Sequence, residues 1–203
     1  MCKIRVLEEK NMAKIKMGAR HYLYPQPAIV AGVMVDGKPN FMTIAWCGIM
    51  QATPPLIYVS IRKERYSFKG FKDKENGTFS VNVPSTKDAP SADYCGLNSG
   101  HNIDKSTIFK TFTGVLNTAP MIENYPVNME CKLVKAIDFE GTHVVFVGEI
   151  IESYVNEECL VDGQPDPVEV DPLIFSTDGK YWGLGDFVGN AYEVGKKFTP
   201  KDS

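Results

Sequence analysis

Arg62, Arg65 and Ser67 are suited to holding an anion. They follow an apolar run at residues 56–61 and precede a candidate helix. Guanidinium groups donate paired, charge-assisted hydrogen bonds to phosphate, and a serine hydroxyl and the N–H groups of a helix start can add to them. The same composition also describes a solvated charged turn. Thr43, Trp46 and Cys47 lie just upstream, across the Pro54-Pro55 break. A hydroxyl, an indole and a thiol brought beside the basic segment would make a cradle for a flat ring. Taken singly, the indole reads more often as core than as a cofactor contact, and the thiol as a small buried hydrophobe. Asn82 ends a strand pattern before Pro84, where its amide can read the donor and acceptor edge of a heterocycle or satisfy a local turn. His143 sits in the strand pattern THVVFVGEI, either as a satisfied side chain or in proton transfer.

Other chemistries lack a signal. The three histidines are scattered, with no HxH or HExxH, so no metal site is expected. No GxSxG elbow supports a hydrolase, and neither GxGxxG nor a Walker pattern supports a phosphate loop. The five cysteines are widely spaced, which points to free thiols in a reducing, cytoplasmic setting. The net charge of -3 argues against a nucleic-acid partner, and no apolar run of membrane-spanning length occurs.

The elements that must position these residues are mostly strands. A charged tail is expected over 1–20 and a single domain over 21–203, entered through the extended, proline-punctuated residues 21–27. Strands are predicted at 28–35, 41–47, 56–61 and 78–83, with longer ones at 127–138 and 142–155. Asp36-Gly37, Asn76-Gly77, Glu140-Gly141 and Asp178-Gly179 read as turns, the last joining 173–176 to 181–184. Short helices are expected at 65–74, at 91–97 with Ser91 as N-cap, and near 190–196. The acidic, proline-rich segment 162–172 is unsuited to a central strand. Many strands, short turns and few helices predict an antiparallel, mainly β barrel.

Several pieces together resemble the flavin reductase-like, FMN-binding split-barrel family. They are Pro25-Gln26-Pro27 before a strand, the stretch from Gly37 to Thr43, Thr53-Pro54-Pro55-Leu56, Ser60-Ile61-Arg62 with Arg65-Tyr66-Ser67, the stretch from Phe79 to Pro84, and His143 with Gly148-Glu149-Ile150. The resemblance implies a Greek-key-like split barrel and a homodimer that holds FMN non-covalently. It implies oxidoreductase or electron-transfer work, with NAD(P)H or a redox protein as donor. Along the strand, Asn40, Thr43, Ala45, Trp46, Cys47 and Gly48 would line the ring. Ser60, Ile61, Arg62, Arg65, Tyr66 and Ser67 would take the phosphate and ribityl chain. Asn82 would touch the ring edge or ribityl, and Lys105 the phosphate. Family reductases look serine-rich before the Pro-Pro turn; residues 44–52 here are not, which favours the flavoredoxin-like branch. An NAD(P)H-dependent FMN reductase and a non-catalytic flavin-binding barrel are the alternatives. The acidic segment 162–171 matches no family motif.

Overall fold

The computed structural model describes residues 14–73 and 77–199. Its strands are β1 (Gln26–Pro27), β2 (Ile29–Val35), β3 (Lys38–Ile44), β4 (Cys47–Gln51), β5 (Leu56–Arg62) and β6 (Thr78–Val83). They continue as β7 (Thr111–Phe112), β8 (Met121–Ile122), β9 (Val127–Asp138), β10 (His143–Val155), β11 (Leu160–Val161), β12 (Gln164–Pro165), β13 (Ile174–Ser176) and β14 (Lys180–Trp182). The α-helices are α1 (Phe68–Lys72), α2 (Ala89–Leu97) and α3 (Pro167–Val170).

Seven strands form one antiparallel sheet in the order β3-β2-β6-β9-β10-β5-β4. Its edge strands are consecutive in the chain, separated only by Ala45 and Trp46. Two residues cannot cross an open seven-stranded sheet, since neighbouring strands lie about 4.8 Å apart. The sheet therefore curls until its edges approach at that bend. The result is a split barrel that is not closed by strand pairing, as the sequence leads one to expect. The continuous strand expected at 41–47 is a difference: β3 ends at Ile44 and Cys47 already belongs to β4.

The strands alternate, as period-two geometry requires. Ile29, Ala31, Val33, Met42, Ile44, Cys47, Val59, Ile61, Phe79, Val81 and Phe146 fill the interior. Phe71 of α1 packs at one end, 5.1 Å from both Phe79 and Phe146 between ring centroids. A second core lies outside the sheet, where Ala28, Val30 and Phe41 meet Ala92 and Cys95 of α2 and Leu173. β1, β13 and β14 form a small sheet beside it.

Local differences have local causes. Helix α1 is a single turn rather than ten residues, and Lys74 and Asn76 of the expected helix and turn lie outside the described residues. Helix α2 starts two residues early because Pro90 fits its first turn. Ser91 is inside that helix, its hydroxyl donating to the Asp88 carbonyl at 2.9 Å. Of the expected tail, residues 1–13 lie outside the described residues and 14–20 carry no regular structure. The acidic segment is indeed no central strand: it forms the hairpin β11–β12 and α3, where the Asp166 carboxylate accepts from the N–H groups of Val168 and Glu169. Near 190–196 only a 3-10 turn, Val194–Lys197, forms.

Gly32 sits where a Cβ would strike the carbonyl oxygen of Pro120. Because that obstacle is backbone, Gly32→Ala should lower stability by roughly 1–3 kcal/mol. Urea unfolding checks this, and an unchanged midpoint would show that the loop carrying Pro120 yields freely.

Candidate functional site

The bend at 45–46 and the outer face of β5 build one groove. Register pairs His143 with Arg62 and Val145 with Ser60, so His143, Arg62 and Ser60 share the outward face while Ile61 and Val144 point inward. The Ser60 N–H donates to the Trp46 carbonyl at 2.8 Å, which pins the bend to β5. The Trp46 ring then lies 4.7 Å from the His143 ring, with His21 edge-on at 5.3 Å on another side. Thr43, Ala45, Trp46, Ser60, Arg62 and Arg65 line a cavity of about 280 Å³ together with His143 and Phe175. That is near the lower end of small-molecule sites, about 300–1,000 Å³.

A narrower cleft continues from it. Met42, Thr43 and Arg65 border both spaces, and beyond them the cleft is lined by Tyr66, Ser67, Gly96, Asn98, Ser99 and Lys105. The Asn40 amide donates to the Ser67 hydroxyl at 2.6 Å, which fixes that hydroxyl behind the cleft. Gly100 is obligatory here, because a Cβ would meet the Asn40 amide oxygen at 2.6 Å as well as the Tyr66 ring. The Lys105 ammonium is buried and donates to the carbonyls of Phe41 and Cys95 at 2.9 and 2.8 Å, and burial lowers its pKa. Two of its donors thus hold β3 against α2. The groove is therefore polar and cationic at one end, aromatic at the other.

Eight expected site residues converge on this groove: Thr43, Ala45, Trp46, Ser60, Arg62, Arg65, Tyr66 and Ser67. Lys105 borders the cleft too, and Asn40 stands behind it. Four do not converge. Cys47 points into the barrel interior, where burial pushes its thiol up to about 12. Ile61 packs in the same core because it alternates with Ser60 and Arg62. Asn82 is fully buried and saturated: its amide donates to the Val30 carbonyl and the Ser80 hydroxyl, and its oxygen accepts from Ile122 N–H and the Asn128 amide. Gly48 lies on β4 against Tyr58, away from the groove. A phosphate site at a helix start also has little support, since α1 spans five residues. His143, weighed above for proton transfer but not as a cofactor contact, lines the cavity, and Asn98 and Ser99 join the cleft from the segment after α2, where the run Asn98-Ser99-Gly100 was the available signal. Among the described residues, no group of His, Cys, Asp and Glu could hold a metal.

Residues 20–183 match the model of the Flavin reductase like domain. The chain belongs to that family. Flavoredoxin from Methanosarcina acetivorans is similar over 91% of this chain and 98% of its own, at 41% identity and a TM-score of 0.87. Flavoredoxin of Desulfovibrio vulgaris (Miyazaki F) matches at 37% identity and 0.82, over 90% and 100% of the two chains. An FMN-binding protein from Thermus thermophilus, solved with bound 1-cyclohex-2-enone, matches at 25% and 0.74, over 91% and 99%. The chain is thus a flavin reductase-like protein similar to flavoredoxins, as the resemblance implies.

Two predictions follow from the geometry. Burial, then the Arg62 charge, lowers the His143 pKa below its ordinary 6.5. The imidazole therefore holds its proton less readily than a free histidine, and Arg62→Gln should raise its NMR titration midpoint; a wild-type midpoint above 6.5 would contradict the placement. Asn82→Ala should destabilise the fold by ~2–4 kcal/mol, since it orphans several buried partners. Flavin affinity of the folded protein should stay within about twofold, as Asn82 lies outside the groove and loses only fold hydrogen bonds; a selective affinity loss would return Asn82 to the site.

Proposed function

We propose that this chain is a flavoredoxin-type oxidoreductase or electron carrier that holds FMN non-covalently in the groove. The observation that carries this is the sharing of Thr43 and Arg65 between the aromatic cavity and the polar cleft. A single ligand, flat at one end and anionic at the other, spans both. The residues present fit such a group. Arg65, Ser67 and Ser99 would take the phosphate, with Lys105 behind them. Trp46, Thr43 and Phe175 would bound the ring, and Arg62 and His143 would border its outer side. The FMN-binding relative from Thermus supports this choice of flavin.

When bound, the flavin supplies the hydride and electron chemistry, and the protein supplies position and electrostatics. The chain's own residues then bind, orient and exclude water. Cys47 is not required to act as a nucleophile, consistent with a thiol held protonated in the core. NAD(P)H or a partner redox protein would deliver the electrons. A homodimer goes with this reading: Phe187, Val188, Tyr192 and Phe198 of the C-terminal stretch are exposed apolar side chains that a second copy would cover. So does a cytoplasmic setting, because Cys47, Cys95, Cys131 and Cys159 are all free thiols.

Protein purified and supplied with FMN should be yellow, with about one FMN per chain. Arg65→Ala should weaken FMN by about 10- to 100-fold, the worth of a charge-assisted hydrogen bond of ~1.5–3 kcal/mol, and riboflavin hardly at all. Equal losses for both flavins would remove Arg65 from the phosphate end. Colourless protein that ignores FMN would end the proposal.

A further inference from the structure

The groove does not end at the phosphate cleft. One of its walls is β3, which among the described residues pairs only with β2 and so leaves its other edge open. The facing wall is α2 and the segment after it. The Thr43 hydroxyl on the Ala92 carbonyl and the Lys105 ammonium on the Phe41 carbonyl hold the two walls together. Both walls advance in chain order. Along β3, Thr43 and Ile44 border the aromatic cavity, Met42 and Thr43 the cleft, and Lys38 to Asn40 a further cavity of about 410 Å³. Opposite, Gly96 to Ser99 border the cleft, and Asn102 to Asp104 the further cavity. Tyr66, Gly100 and Lys105 border both. A strand advances about 3.3 Å per residue, so from Ile44 back to Lys38 the trough follows β3 for about 20 Å. FMN with its phosphate at Arg65 and Ser67 would use only the first part of it.

The further cavity is in the volume range of small-molecule sites, about 300–1,000 Å³. Its lining suits a nucleoside rather than a bare anion. The Asp36 and Asp104 carboxylates border it, and carboxylates repel a free anion but accept from ribose hydroxyls. The His101 ring stands edge-on to Tyr66 at 4.8 Å, so two aromatic surfaces meet there on which a base can stack. Lys38 is the cation at the cleft side. It follows Asn40 by one same-face step of the strand, about 7 Å. Asn40 itself holds the Ser67 hydroxyl behind the cleft. The Lys38 ammonium donates to Asp104 at 2.8 Å, and an ammonium has three donors, so two remain for a phosphate next to the one at Ser67.

We propose that the further cavity receives the adenylate half of a flavin dinucleotide: the chain binds FAD as well as FMN, and Lys38 is the residue that pairs with the second phosphate. This rests on the FMN reading above, because the ring and the first phosphate occupy the same places in both flavins. Asp104 orients Lys38 through their ion pair, and Tyr66 and His101 face the adenine.

The test titrates the full chain with FMN and with FAD by calorimetry. Wild-type protein should bind FAD within about tenfold of FMN. Lys38→Ala should weaken FAD by about tenfold, the worth of one charge-assisted hydrogen bond, and FMN by less than about twofold. His101→Ala should act in the same direction, weakening FAD by about fivefold through lost stacking and leaving FMN unchanged. Lys38 and His101 are both exposed, so both variants should melt with the wild type. FAD binding more than about 100-fold weaker than FMN would overturn the proposal. So would equal losses of both flavins in Lys38→Ala, or FAD affinity untouched by that substitution. Tight FMN binding with FAD rejected strikes this inference alone; wild-type protein that binds neither flavin ends the FMN reading, and this inference with it.

Discussion

The bend at Ala45 and Trp46 is the constraint on which the rest depends. It joins the two edges of a seven-stranded sheet, so the sheet has to curl, and curling creates an inside and an outside. Every side chain between Asn40 and Arg62 is then assigned by parity. Met42, Ile44, Cys47, Val59 and Ile61 go to the core, whereas Thr43, Ser60 and Arg62 go to the outer face. The bend also leaves a gap in the sheet edge. Trp46, held by the hydrogen bond from the Ser60 N–H to its own carbonyl, is the floor of that gap.

Packing around the bend sets the electrostatics of the groove. Lys105 spends two hydrogen bonds on the carbonyls of Phe41 and Cys95, tying β3 to α2 and bringing a buried cation near the cleft. The Thr43 hydroxyl donates to the Ala92 carbonyl on the same seam. At the far end, the Asp104 carboxyl is held below the usual range by hydrogen bonds from Lys38 and Ser106, so the acid beside the cleft stays paired with Lys38. What remains for a ligand is Arg65 and the Ser67 hydroxyl. These groups are also those with little role in the barrel core, which is why a site can be built there at small cost to the fold.

Much of this was legible in the sequence, for identifiable reasons. Asp36-Gly37 and Glu140-Gly141 announce their hairpins because few residues adopt positive φ, and both Asp36 and Gly37 do so. The strands at 29–35 and 56–62 carry β-branched residues at their proper period. The bend itself was not legible: Ile44 through Gly48 reads as unbroken strand, and only the pairing of β4 with β5 shows that the chain changes partner there. That one missed turn explains the misplacing of Cys47, whose position in line suggested the groove while its parity after the bend puts it in the core. Asn82 was misread for a different reason. Its side chain looked available at a strand end, but Ile122 of β8 and Asn128 of β9 donate to its oxygen while Val30 and Ser80 accept from its nitrogen.

The central proposal is that a phosphorylated flat cofactor lies along the groove, ring at the Trp46 end and phosphate toward Ser67. A crystal structure of the protein with FMN tests it most directly. The account predicts the isoalloxazine ring between Trp46 and Phe175, beside Thr43, with the phosphate against Arg65 and Ser67. FMN bound instead in the cavity of about 410 Å³ bordered by Lys38, His101 and Asp104, or with its phosphate at the Trp46 end, would contradict it.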